Sequence, residues 1–185
     1  GRPETITYRE AFLRYVDLDP FTASTALLAD VADRLGVAAP ATLEAQDHDG
    51  WLDLLLVERI QPNLGTDRPT IVCDYPPSQA ALAQVRGADP AVAERFELFA
   101  DGVELANGFH ELTDPDVLAR RAATANAARQ RDGKPPLPES SRLLAAMQAG
   151  LPPSAGVALG LDRLLLVATG ADSLERVLPF PFARA

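Results

Sequence analysis

Residues 92–112 constrain this chain more than any other stretch, because they leave little choice but a β-hairpin. Asp101-Gly102 is a two-residue turn of the kind that joins antiparallel strands, between a strand over 94–100 that mixes Phe96, Leu98 and Phe99 with charged residues and a return run from Val103. Such a turn fixes which side chains meet. With Ala100 opposite Val103, Phe99 faces Glu104 and Glu97 faces Ala106, so these inner positions share one face of the sheet. Glu97 and Glu104 become diagonal neighbours, roughly 7–8 Å apart at the backbone. Like charges that close repel unless a cation lies between them, and a hard ion such as Mg²⁺ suits paired carboxylates. The plainer alternative, a surface hairpin with solvated glutamates, is what spacing alone favours. Strict alternation sends Asn107 to the opposite face. A glycine bulge at Gly108 re-aims it and lets Glu111, a carboxylate suited to a substrate ammonium, reach the same pocket. His110 reads as a structural or surface histidine.

A second informative stretch is Gly156-Val-Ala-Leu-Gly160-Leu-Asp-Arg163, a strand running into a helix. Gly156 and Gly160 remove side chains where a flat ring or a ribose approaches the backbone. Arg163 at the helix start can present a planar guanidinium to phosphate or stack on a base. The pattern lacks the Gly-Lys-Ser/Thr ending of a phosphate loop and is not the Gly-x-Gly-x-x-Gly dinucleotide fingerprint. On its own it reads equally as a buried strand with glycines for close packing.

The rest of the chain mixes helices with short strands. Thr7-x-x-Glu10 is a capping box opening a helix to Val16 with Phe12, Leu13 and Val16 inward, stopped at Asp19-Pro20. Thr22 or Ser24 caps a second helix, with Leu27, Leu28, Val31 and Leu35 at helical spacing and Gly36 as its stop. A third runs from about Asp49 to just before Pro62. Residues 70–75 are β-branched and apolar, a buried strand. Asp114-Pro115 starts a helix that ends at Asp132-Gly133, and a Pro-rich loop over 131–139 is the most mobile segment. A further helix covers 141–149. Hairpins without regular βαβ alternation predict an α+β fold with an antiparallel sheet, as one domain over 1–185.

Composition narrows the function. A net charge of −9 argues against nucleic acid as a non-specific partner. One cysteine, Cys73, excludes an internal disulfide, and two distant histidines argue against a histidine-based metal site. No apolar run approaches the ~18 residues of a membrane span, so the expectation is a soluble cytoplasmic protein.

Taken together, Phe96-Glu97, residues 104–114 and residues 154–163 resemble the C-terminal half of a class II aminoacyl-tRNA synthetase catalytic core of the lysine type. Residues 156–163 resemble the third signature motif of that class. The resemblance extends over Ala11-Phe-Leu-Arg-Tyr15, Gln61-Pro-Asn-Leu-Gly65, Pro77-Ser-Gln-Ala80 and Ala93-Glu-Arg-Phe-Glu97, nearly the whole chain. It is strongest to the lysyl-tRNA synthetase paralogues that attach (R)-β-lysine to a lysine of translation elongation factor P. Ala158, where lysyl-tRNA synthetases usually carry glycine, is the paralogues' pattern. The resemblance implies a ligase that uses ATP and Mg²⁺, forms an acyl-adenylate of (R)-β-lysine or lysine, and transfers it to elongation factor P. It implies that Glu97 and Glu104 hold Mg²⁺ with ATP and that Arg163 and Glu104 act in catalysis. Gly156, Gly160 and Arg163 would border the nucleotide. Asn107 would contact the amino acid near its carboxyl group, Glu111 its side-chain ammonium, and Ala158 would shape the pocket. The full-length family implies a homodimer, with tRNA disfavoured as a partner.

The chain begins where that family is already well into its catalytic domain. No counterpart is visible of the long first-motif helix or of the second motif with its ATP-gripping arginine. The expectation is half an active site, with weak ATP binding and impaired catalysis. Two other readings stay open: a lysyl-tRNA synthetase core fragment, and a non-catalytic remnant that binds a protein partner. Arg120, Arg121, Arg129 and Arg131 read first as a solvated helix face, and second as a docking patch for an acidic factor.

Overall fold

The computed structural model describes residues 1–87, 89–138 and 141–182. Its sheet runs β1 (Glu4–Thr7), β2 (Thr70–Tyr75), β4 (Val92–Ala100), β5 (Val103–His110), β6 (Ala155–Leu159), with the two-residue β3 (Val85–Arg86) on β4. All pairings are antiparallel except β1 with β2, which is parallel. The expected α+β class holds. β1 was not legible, because four residues carry no measurable period, and it forms by lying beside the apolar β2.

Three helices cover one end of one sheet face. In α1 (Tyr8–Val16) the capping box forms as expected: Thr7 Oγ1 accepts from the Glu10 amide at 3.1 Å, and Glu10 Oε2 accepts from the Thr7 amide at 2.7 Å. The inward stripe is Tyr8, Ala11, Phe12 and Val16, whereas Leu13, expected inside, is exposed. The helix ends at Val16 as expected, but Asp17 in the left-handed region terminates it, not Asp19-Pro20. Asp19 is instead held by Arg9 at 2.6 Å and accepts from the Phe21 amide. Ser24, not Thr22, caps α2 (Thr25–Arg34), which buries Leu28 and Val31 but leaves Leu27 outside. The third helix, α3 (His48–Leu55), passes into a π-helical turn (Leu56–Ile60) and a 3-10 turn (Gln61–Asn63), so the helical run continues through Pro62, expected to lie beyond its end, because proline fits the first turn of a new helical segment. Phe12, Leu28, Leu52, Val72 and Phe99 form the centre of this core, all essentially without solvent contact. Burying each such side chain is worth about 1.5–3 kcal/mol, which makes this layer the main source of stability.

The second half is looser. α4 (Pro115–Arg131) is capped by Asp114, whose Oδ1 accepts from the Asp116 amide at 2.8 Å, and it buries no residue fully. α5 (Arg142–Gly150) buries only Met147, and α6 (Leu161–Thr169) buries none. The loop after α4, read as mobile, is tied back through residue 137: Asn126 donates to Leu137 O at 3.0 Å and accepts from its amide at 2.7 Å. Glu139, at the end of that stretch, lies outside the described residues. No helix among the described residues is long and apolar enough to cross a membrane.

Candidate active site

The hairpin turn forms as expected, with Asp101 at φ 49° and Gly102 at φ 73°, the double positive φ of a tight hairpin turn. Ala100 faces Val103 and Phe99 faces Glu104. The ladder then slips. Leu98 faces Ala106 and Glu97 faces Asn107, not Ala106, because β5 carries one extra residue between Glu104 and Ala106. The bulge therefore lies at Leu105 and not at Gly108. Its carbonyl accepts from the Gly160 amide at 2.9 Å, anchoring the start of α6. Gly108 pairs regularly with Phe96 and Val157, and a methyl there would meet the Phe96 ring at 2.5 Å and Gly156 O at 2.8 Å. Its role is close packing. The effect anticipated for the bulge still follows, since Asn107 lies on the face of Glu97.

Across that face the row Ile6–Val72–Glu97–Asn107–Ala158 runs from core to solvent. Ile6 and Val72 are 4% and 0% exposed, Glu97 6%, Asn107 is half-buried and Ala158 is exposed. Glu97 thus sits at the margin of the hydrophobic core, where an uncompensated carboxylate is costly. Two residues that sequence reasoning assigned no role compensate it. Arg95, two positions earlier on the same face, pairs with Oε1, and Tyr75 at the end of β2 donates to Oε2 at 2.7 Å. Asn107 Nδ2 approaches Oε1 at 3.4 Å. Arg95 also stacks over the Tyr75 ring at 4.5 Å and donates to Gln79 O at 2.9 Å. Burial, followed by the charge of Glu97, pushes the Tyr75 hydroxyl well above its ordinary pKa, so it remains a donor. The i, i+2 spacing of Arg95 and Glu97 was the available signal for the first partner. Tyr75 had none, since only the fold brings β2 beside β4.

The other expected residues fall on or beside the same face. Arg163, near the N-terminus of α6, donates to Glu104 O at 3.0 Å and to its Oε2 at 3.1 Å, an exposed ion pair. The Glu111 carboxylate lies over Gly156, and an added methyl at 156 would overlap its Oε1. The gap at Gly156 is therefore filled by Glu111 instead of standing open for a ring. At Gly160 a methyl would meet only the Arg163 side chain at 3.6 Å, ordinary contact. Asn107 donates towards Glu97, and its buried Oδ1 has no hydrogen-bond partner among the described residues.

Mg²⁺ needs few protein ligands when phosphates and water complete its shell. Among the described residues no cluster of three or more acidic, histidine or cysteine side chains is gathered for a metal. Glu97 and Glu104 still fit, because each carboxylate offers about four acceptor sites and the observed bonds leave some free. Glu104, held among the described residues by one exposed ion pair, is the readier ligand.

Among the arginines of the expected surface patch, Arg121 donates to Ala81 O at 2.7 Å and Ala83 O at 2.9 Å, and Arg129 donates to Pro135 O at 2.9 Å. Both tie the chain together. Arg120, with Leu118 and Ala125, lines a groove of about 670 Å³ between α4 and residues 77–82.

Comparison with known proteins gives these positions a context. Residues 4–184 match the family model of class II tRNA synthetases (D, K and N). The chain is 44% identical over 182 residues to proteins named elongation factor P (R)-β-lysine ligase from Yersinia enterocolitica, Klebsiella pneumoniae and Proteus mirabilis. Each alignment covers 98% of this chain and 56% of the relative, so the chain spans little more than half the length of the curated relatives it matches.

Proposed function

Because this chain belongs to the class II tRNA synthetase family of the aspartate, lysine and asparagine type, we propose that it is the C-terminal portion of a catalytic core that activates (R)-β-lysine with ATP and passes it to a lysine of elongation factor P. The observation that carries this reading is the open half of one sheet face. There Glu97, Asn107, Ala158 and the Glu111 carboxylate come together beside the Glu104–Arg163 pair. The names of the relatives supply the substrate and the acceptor.

In this reading Arg163 exchanges its exposed pairing with Glu104 for the nucleotide's phosphates, an exchange with little cost because surface ion pairs contribute about 0–1 kcal/mol. Glu104 and Glu97 would hold Mg²⁺, which would supply positive charge beside the phosphates. The remaining work falls to residues of the chain. Arg95 and Tyr75 keep the Glu97 carboxylate fixed, and Glu97 accepts from the Asn107 amide, which holds that side chain on the same face. A side-chain amide carries both donors and an acceptor, which suits the end of the substrate near its carboxyl group. Glu111 takes the ammonium at the far end of the substrate. The adenylate's carbonyl is then attacked by the acceptor lysine, releasing AMP. The same arrangement would serve a lysyl-tRNA synthetase core, and the choice of amino acid separates the two.

A partner-binding role without catalysis is favoured by one observation: Val157, Leu159 and Leu161 are exposed apolar side chains along β6 and the start of α6. ATP–pyrophosphate exchange by the full-length protein, with (R)-β-lysine and with lysine, decides between these readings. Exchange that prefers (R)-β-lysine and is lost in Glu104→Gln is expected. Preference for lysine would favour the synthetase, and absence of exchange with either would favour the partner-binding role.

A further inference from the structure

We infer that Gly156 is a specificity-determining position, because the absence of its side chain seats the carboxylate of Glu111 on the substrate face. The inference rests on the reading of Glu111 as the acceptor for the substrate's distal ammonium.

Gly156 stands opposite Phe109 on β5, and Phe109 stands opposite Arg95 on β4. This row adjoins Glu97–Asn107–Ala158 two residues away, so a side chain at 156 would project to the same face as Asn107 and Ala158. Glu111 follows the end of β5 and is fixed at its backbone: its amide donates to Ser154 O at 2.9 Å, and its carbonyl accepts from Gln84 Nε2 at 3.1 Å. With the backbone held at both groups, the carboxylate reaches back over β6, and the volume it occupies is the one a β-carbon at 156 would take. Oε1 lies inside van der Waals contact of that position, and Cδ is 3.5 Å from it. The backbone of Gly156 is not in the left-handed region that favours glycine, so alanine is conformationally acceptable there. What glycine provides at 156 is space. An alanine would move the carboxylate while leaving the strand, Asn107 and Ala158 in place.

A moved carboxylate weakens only the interaction it makes. Binding of a substrate that carries the distal ammonium should suffer, while binding of the same molecule without it should not. A purely structural role for Gly156 predicts equal losses for both.

The test uses the full-length protein in ATP–pyrophosphate exchange. It measures KM for (R)-β-lysine and the competitive Ki of (R)-3-aminohexanoic acid, which lacks only the terminal ammonium. Gly156→Ala should raise KM for (R)-β-lysine roughly tenfold or more, the effect of losing a hydrogen bond to a charged group, with Ki changing less than about twofold. Shortening the acid in Gly156→Ala/Glu111→Asp should recover part of the loss, and Gly156→Ala should add nothing in a Glu111→Gln background. Parallel losses in KM and Ki, no loss in either, or additivity with Glu111→Gln would overturn the proposal. Failure of the reading it rests on looks different: Glu111→Gln itself would then leave KM for (R)-β-lysine unchanged.

Discussion

The two ends of one sheet face make opposite uses of the same architecture. At β1, β2 and the inner half of β4, the face is sealed by α1, α2 and α3, and Val72, Phe12, Leu28 and Phe99 are lost to solvent. At β5 and β6 it is open, α6 buries no residue, and polar groups replace apolar ones within a single row. The sealed end supplies stability, and its rigidity is carried sideways along the strands. Glu97 gains a fixed position because its neighbour in the row is a core valine and its oxygens are held by Arg95 and Tyr75. The open end can then present groups to a ligand without bearing the fold.

This contrast can be broken by substitutions in each region. Phe99→Ala should cost about 3–5 kcal/mol in denaturant unfolding. Leu164→Ala, on the exposed helix α6, should cost less than about 0.5 kcal/mol. Similar costs at the two sites would remove the division. At the border between them, Arg95→Met should cost about 3 kcal/mol, since it strands a carboxylate that is 9% exposed. Arg95→Met/Glu97→Gln should recover much of that cost, and additive losses would show that the pair is not the coupling element. A smaller effect is expected within the sealed end, where Thr7→Ala removes the cap of α1 at about 1 kcal/mol.

The smallest prediction concerns pH. The Arg9 guanidinium beside Asp19 holds its carboxyl below the ordinary carboxylate range. A lowered folded pKa contributes stability that is present above the unfolded value, about 3.9, and is lost as pH falls through the folded value. Asp19→Asn should therefore lower the melting temperature at neutral pH, and the difference from the parent chain should shrink below about pH 3. A difference that persists into acid would assign the effect to the Phe21 amide contact instead.

How legible the molecule was in its sequence follows the same division. Local chemistry announced the Thr7 capping box, the Asp101-Gly102 turn and the Asp114-Pro115 helix start, because each is decided within four residues. Leu13 and Leu27 were misplaced because a helix has more apolar residues than its neighbours can cover. The bulge was expected at Gly108, where flexibility is visible, but formed at Leu105, where the carbonyl meets the Gly160 amide across the sheet. Glycine suggested room for a ligand at 156, whereas the room is taken by Glu111, 45 residues earlier in the chain and beyond any local pattern. The parallel pairing of β1 and the grip of Tyr75 on Glu97 were hidden for the same reason.

The measurement that bears most directly on the whole account is an amide chemical-shift titration of this 185-residue chain with (R)-β-lysine. Shifts should concentrate at Asn107, Glu111, Gly156 and Ala158 and leave α1, α2 and the core of β2 unmoved. No saturable shift at those four residues, or shifts centred on the groove beside α4, would contradict the assignment of the open face as the amino-acid site.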